Sequence, residues 1–266
     1  MHADQMPMTN SPATEDPNHR AISQPGAIAV DQHEALAMGL HCKAMRDYSQ
    51  AVAWFLKAAQ QGNVPAQYHL GALYKQGNGV VQDFVKAALW FGRAAAQGYA
   101  RAQGGLGLLY KNGQGVTRDF IRAFGLLREA SEQGLSTAQY HLGDLYAQGL
   151  GVAEDLGQAA FWFTRAAEQG CGSAQYRLGV LYQEGRGVTR NLAQAANWLR
   201  KAAEQGCSPA QLRLVGMLGQ IGMTVGDDDQ TASWLRKAMD YGYVEAGALD
   251  NSRQPPRGST PEHPSI

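Results

Sequence analysis

A glycine that follows glutamine recurs at Gly62, Gly98, Gly134, Gly170 and Gly206, each 36 residues after the last, and Gly242 continues the series after a tyrosine. Other residues keep the same step. Alanine stands at Ala66, Ala102, Ala138, Ala174, Ala210 and Ala246, and leucine at Leu70, Leu106, Leu142, Leu178 and Leu214. Tyrosine returns at Tyr74, Tyr110, Tyr146 and Tyr182, and tryptophan at Trp54, Trp90, Trp162, Trp198 and Trp234. So many registers in phase mean that the chain is built of like units. One unit of this size cannot bury its apolar faces alone, whereas stacked copies bury one another.

Each unit reads as two helices. In the first full one, helix A is expected from about Pro65 to Gln76, with Ala66, Leu70, Leu73 and Tyr74 on one face of a 3.6-residue helix. Pro65 suits a first turn, where its missing N–H costs nothing. Gly77 ends the helix, since glycine accepts a left-handed C-cap. It opens a G-x-G-V loop that recurs from Gly113, Gly149 and Gly185. The N-cap of helix B reads Asp47, Asp83, Asp119, Asp155, Asn191 and Asp227, six oxygens suited to an orphan N–H. Helix B then turns Ala87, Trp90, Phe91, Ala94 and Ala95 inward, and the small Gly71 and Ala94 allow close helix approach.

The pattern A-x-A-Q-Y-x-L-G-x-L-Y-x-x-G-x-G-V-x-x-D-x-x-x-A-x-x-W-[FY]-x-x-A-A-x-Q-G resembles the Sel1-like repeat, a 36-residue relative of the tetratricopeptide repeat. Ala138–Gly170 fits it almost residue for residue, and the resemblance runs from about Asp31 to Ala248. It implies an all-α, right-handed α/α superhelix, a solenoid of about six helical hairpins. The solenoid would occupy residues 30–248, with units near 31–63, 64–99, 100–135, 136–171, 172–207 and 208–243 plus an end cap. The terminal units diverge, as caps facing water do. The first lacks the glycine loop and has a tighter turn near Lys43–Arg46, and the last has Leu218 for tyrosine and Ile221 and Met223 for loop glycines. Residues 1–29 and 249–266, rich in Pro, Ser, Asn, Gln and charge, are expected to be disordered tails.

Charge narrows the partners. The 266 residues carry 23 basic and 23 acidic side chains. A general nucleic-acid binder needs a basic surplus to displace counterions, so none is expected here. No apolar run reaches the length of a membrane span, and no basic start with an apolar stretch marks a Sec leader, so no membrane insertion is expected and the cytoplasm is the expected compartment. Three cysteines, Cys42, Cys171 and Cys207, do not make a disulfide framework.

The motifs that would carry chemistry are weak. The G-x-G loops never extend to G-x-G-x-x-G and follow no strand, so they read as turn geometry rather than phosphate cradles. His69 and His141 share a register two units apart, roughly 20 Å, too far for one zinc ion, and are expected to be exposed polar residues. Cys171 and Cys207 lie one unit apart, roughly 10 Å, beyond disulfide reach, and read as half-buried packing residues. A cysteine-rich branch of the resembled family pairs cysteines within each unit; this chain does not, so that branch's β-lactam binding does not transfer. His33–Glu34 lacks a second histidine at Ala37. Asp227–Asp229 reads as helix capping, and the tryptophans read as core. No catalytic residue, cofactor or metal is expected, and an enzyme is the least supported class.

What remains is a surface. The 100° wheel places Tyr68, Ala72 and Lys75 opposite the core face of helix A. The equivalents are Gly104, Leu108 and Lys111, then Tyr140, Asp144 and Ala147, then Tyr176, Val180 and Gln183, with Arg101 beside them. In the resembled solenoids this stripe lines the concave side. The resemblance therefore implies a non-enzymatic scaffold or adaptor that binds a partner protein or peptide there, as similar proteins do in bacterial signalling, envelope regulation and host interaction. Tyrosines supply rigid amphipathic contacts at interfaces, although the same tyrosines would also pack between neighbouring helices. The alternative is a small-molecule or glycan receptor in the same groove, and weak self-association through the end units is a further expectation.

Overall fold

The computed structural model describes residues 30–220, with side chains placed as far as Met217. Every regular element among them is an α-helix, and the helices alternate between two roles. The A helices are α1 (Gln32–Ala44), α3 (Val64–Gln76), α5 (Ala100–Asn112), α7 (Ser136–Gln148), α9 (Gly172–Glu184) and α11 (Ser208–Gln220). The B helices are α2 (Tyr48–Gln60), α4 (Phe84–Ala95), α6 (Phe120–Glu132), α8 (Leu156–Glu168) and α10 (Leu192–Glu204). Each packs mainly on the helix before it and the helix after it. The stack is the expected all-α repeat superhelix. The expected cap Asp227, Trp234, the second half of the last unit and both tails lie outside the described residues.

The core shows why the sequence repeats. One buried cluster joins Ala87, Phe91 and Ala94 of α4 to Ala102, Leu106 and Leu109 of α5. Others join α6 to α7, α8 to α9 and α10 to α11. The apolar face of each B helix is thus covered by the A helix of the following unit. Trp90 and Trp162 are 7% and 8% exposed, while Trp54 and Trp198 are half-buried. A basic side chain three residues on lies over each ring: Lys57 over Trp54, Arg93 over Trp90, Arg165 over Trp162 and Lys201 over Trp198.

Local chemistry fixes the boundaries. The five described B-helix caps accept from the third backbone N–H as expected: Asp47 from Gln50, Asp83 from Lys86, Asp119 from Arg122, Asp155 from Gln158 and Asn191 from Gln194. Gly77 ends α3 at φ +73°, and the next loop glycine, Gly79, is also left-handed at +72°. A Cβ on Gly79 would stand 2.4 Å from the carbonyl carbon of Tyr48, the first residue of the previous B helix. The loop therefore caps one helix and lies against the backbone of another, which accounts for both glycines without a phosphate. In the first unit Arg46 takes the left-handed position instead, at φ +61°.

A buried glutamine in each of α3, α5, α7 and α9 ties units together. Gln139 is 2% exposed. Its Nε2 donates to the carbonyl of Ser131 in the preceding unit at 3.1 Å. Its Oε1 accepts from Gln169 of its own unit at 2.8 Å. Gln67 and Gln175 repeat both bonds. Gln103 keeps the bond from Gln133 but turns its own donor to Glu129 at 2.7 Å. Satisfied amides of this kind are tolerated in a core, where unpaired ones would cost stability.

Candidate functional site

Three successive A helices border one groove. Tyr68, Ala72 and Lys75 reach it from α3, Arg101 and Leu108 from α5, and His141 from α7, around a space of about 400 Å³. Its floor is Gly104 and Gly105. The wheel's stripe thus comes together here for five of its residues. Asp144 and Val180 border a second hollow of about 300 Å³ with Arg177 and Glu184.

The rest of the stripe is engaged within the fold. Lys111 Nζ donates to Asp144 Oδ2 at 2.6 Å, and Arg177 approaches the other carboxylate oxygen at 3.5 Å. These three side chains, from α5, α7 and α9, link three units. Asp144 is only 7% exposed, although the wheel put it on the solvent side. Tyr140 packs on His141 and on Phe163, with ring centroids 4.9 Å and 5.9 Å away. Tyr176 packs against the α10–α11 cluster, and Gln183 accepts from Arg213 at 3.1 Å. Tyr68 sits among Phe91 and Tyr99 at 5.8 Å and 5.5 Å. The tyrosines are all half-buried packing residues.

The histidines depart from expectation. Both are half-buried rather than exposed. His69 stacks on Phe55 at 5.1 Å and lies 3.4 Å from Lys43 Nζ. Burial, then Lys43 and Arg101, holds it down at a pKa of about 4. His141 is likewise lowered to about 4, by burial and then Lys111, with Asp144 opposing. Its Nδ1 is buried without a hydrogen-bond partner. Cys42, Cys171 and Cys207 are unpaired and half-buried, as the spacing of the last two requires.

Charge within the groove is one-sided. Among the described ion pairs neither Lys75 nor Arg101 has a carboxylate within 4.0 Å. Sequence reasoning also overlooked an outer apolar set on the B helices: Val85, Leu89, Ile121 and Phe161 are 65%, 52%, 74% and 49% exposed. Their signal is one apolar residue, or in α4 two spaced four apart, on the polar face of an otherwise amphipathic helix. Among the described residues no group of His, Cys, Asp and Glu is placed to hold a metal.

Repeated hairpins that bury only their neighbours, with a groove along successive A helices, define a tetratricopeptide-like solenoid scaffold. A model of the Sel1 repeat matches residues 28–63, 64–99, 100–135, 136–171 and 172–207. The chain belongs to the Sel1 repeat family. Proteins of this family generally mediate protein–protein interaction, and their scaffolds are generally non-catalytic.

The chain is similar to a crystal structure of a protective antigen present in uropathogenic Escherichia coli strains, which displays an SLR fold. The two are 36% identical with a TM-score of 0.74, over 82% of this chain and 48% of that one. A Sel1 repeat protein from Oxalobacter formigenes is 31% identical with a TM-score of 0.70, over 80% of this chain and 84% of that one. The chain thus spans about half the length of the first structure and most of the second. An immunity protein from Pseudomonas aeruginosa, 19% identical with a TM-score of 0.51 over 88% and 95% of the two chains, shows the fold alone. No curated protein matches the chain. No helix among the described residues is long and apolar enough to cross a membrane.

Proposed function

We propose that the chain is a non-enzymatic interaction scaffold that binds a partner protein or peptide along its A-helix face, and that a sixth unit near 208–243 closes the stack. The observation that carries this reading is the groove bordered by α3, α5 and α7 together. A surface shared by three successive units suits an extended segment or a helix, which needs contacts repeated along its length. A small-molecule receptor would need several polar groups converging on one point. The groove offers an apolar floor with cations at its edge, which favours a protein partner. The bacterial sources of the Escherichia coli and Oxalobacter formigenes structures support a bacterial setting, in signalling or envelope regulation. Three unpaired cysteines fit a reducing, cytoplasmic one.

The test is site-specific photo-crosslinking. Benzoylphenylalanine replaces either Gln76, exposed at the groove edge, or Ile121, 74% exposed on the outer side of α6. A discrete adduct from position 76 and none from 121 is expected in native lysate. Adducts from 121 alone would move the binding surface to the B helices.

A further inference from the structure

The groove exists because one unit breaks two registers at once. At the position of Tyr68, Tyr140 and Tyr176, α5 has Gly104. At the next, where the other units have His69, His141 and Arg177, it has Gly105. Two large side chains are missing from adjacent positions of one helix. Neighbours fill only part of the loss. Leu135 Cδ2 comes to 3.0 Å of where a Gly104 Cβ would be, and the Phe91 ring to 3.2 Å of that of Gly105. About 400 Å³ stays open between α3 and α7. The space opens to solvent along the groove, so a side chain from another molecule can enter it. Its walls are the Tyr68 ring, Ala72 and Leu108, while the cations at its edge, Lys75 and Arg101, have no carboxylate within 4.0 Å among the described ion pairs.

We propose that the gap over Gly104–Gly105 is an anchor pocket for an acidic peptide segment of a partner protein. A bulky apolar side chain of that segment fills the space left by the missing tyrosine. A carboxylate beside it pairs with Lys75 or Arg101. The apolar floor selects the side chain, and the uncompensated positive charge selects the sign of its neighbours. A free small ligand would gain only one slot and one charge here. A peptide continues along the A helices and adds to both. This inference rests on the A-helix face being the binding surface, and deepens it.

The test uses fluorescein-labelled peptides and anisotropy. The probe is a seven-residue peptide with phenylalanine at its centre, flanked by aspartate and glutamate. Controls place alanine at the centre or lysine in the flanks, and N-acetylphenylalanine amide serves as competitor. The acidic phenylalanine peptide is expected to bind, and the alanine version to bind about tenfold or more weakly, from the apolar burial lost. Gly104→Tyr restores the side chain of the other units. The only close neighbour of its Cβ is the end of Leu135, so folding should be kept while binding falls by about tenfold or more. Lys75→Glu with Arg101→Glu should abolish binding of the acidic peptide and favour the lysine-flanked one. If Gly104→Tyr fails to fold, the double charge reversal carries the test alone.

No binding by any peptide, equal binding by the alanine peptide, competition by N-acetylphenylalanine amide as strong as by the peptide, or unchanged binding in the variants would each overturn the pocket. The crosslink from position 76 reports on the wider face. It survives if only the pocket is wrong, and is absent if the face itself is wrong.

Discussion

Gly151→Ala is expected to unfold this protein much more readily than Gly170→Ala, although both glycines are left-handed. Gly170, at the end of a B helix, has φ +85° and nothing within 4 Å of where an added methyl group would stand. Alanine there bears the conformational cost, about 1–2 kcal/mol, partly offset by the smaller entropy of the unfolded chain, about 0.4–1 kcal/mol. A net loss near 1 kcal/mol follows from these two terms. Gly151 has a similar φ, +72°, but its Cβ would lie 2.2 Å from the carbonyl oxygen of Phe120 and 2.4 Å from its carbon. Both are backbone atoms, so no rotamer change relieves the clash. Either the loop or the first turn of α6 must shift, which adds about 1–3 kcal/mol as for other forced overpacking. Urea unfolding followed by tryptophan fluorescence and by far-ultraviolet circular dichroism measures both variants. Gly151→Ala should lose about 2–4 kcal/mol in total. Equal losses within about 0.5 kcal/mol would mean that the loop is not pressed on the preceding helix and that φ alone selects its glycines.

Asp144→Ala leaves Lys111, 16% exposed, without its carboxylate, and should cost about 2–3 kcal/mol in the same assay; a loss below about 0.5 kcal/mol would make the three-unit ion pair decorative. Trp162→Ala should cost about 3–5 kcal/mol, as for other buried aromatics, and a loss under about 1 kcal/mol would remove the tryptophan register from the core. His69 and His141 have folded pKa values near 4 against 6.5 when free. The unfolded chain therefore binds more protons between those values, so their contribution is whole above pH 6.5 and fades as pH falls towards 4. Thermal unfolding between pH 7 and 4.5 should fall more steeply for the wild type than for the His69→Gln, His141→Gln double variant, and parallel slopes would contradict the burial.

Helix ends were legible because each depends on one residue and its near neighbours. Asp83 and Gly77 announce a cap and a stop wherever they stand, and the period multiplies the signal. The exposed side of helix A was less legible. A wheel assumes one buried direction, but an inner A helix is touched by its own B helix, by the B helix before it and by adjoining A helices. That leaves a narrow free sector, which is why Asp144, His69 and His141 are enclosed and the tyrosines are packed. The glutamine register at Gln67, Gln103, Gln139, Gln175 and Gln211 was in plain view, yet a polar residue is not read as core without its partners. The gap at Gly104–Gly105 was visible as a lapse in the tyrosine series. That it stays open depended on how far Leu135 and Phe91 reach, which no one-dimensional pattern contains.

Gln139 bonds backward to Ser131 and receives Gln169, and Gln67 and Gln175 do likewise. Gln103 alone of these turns its donor elsewhere, so most joints between the described units are made of the same parts. Excising residues 136–171 would bring the Gln175 donor to the Ser131 carbonyl that Gln139 now uses and leave no amide stranded. Removing half a repeat would set two B helices or two A helices side by side, with glutamines facing nothing. Descendants of such a chain are free to lengthen or shorten only in whole hairpins, so its reach along a partner changes in steps rather than continuously.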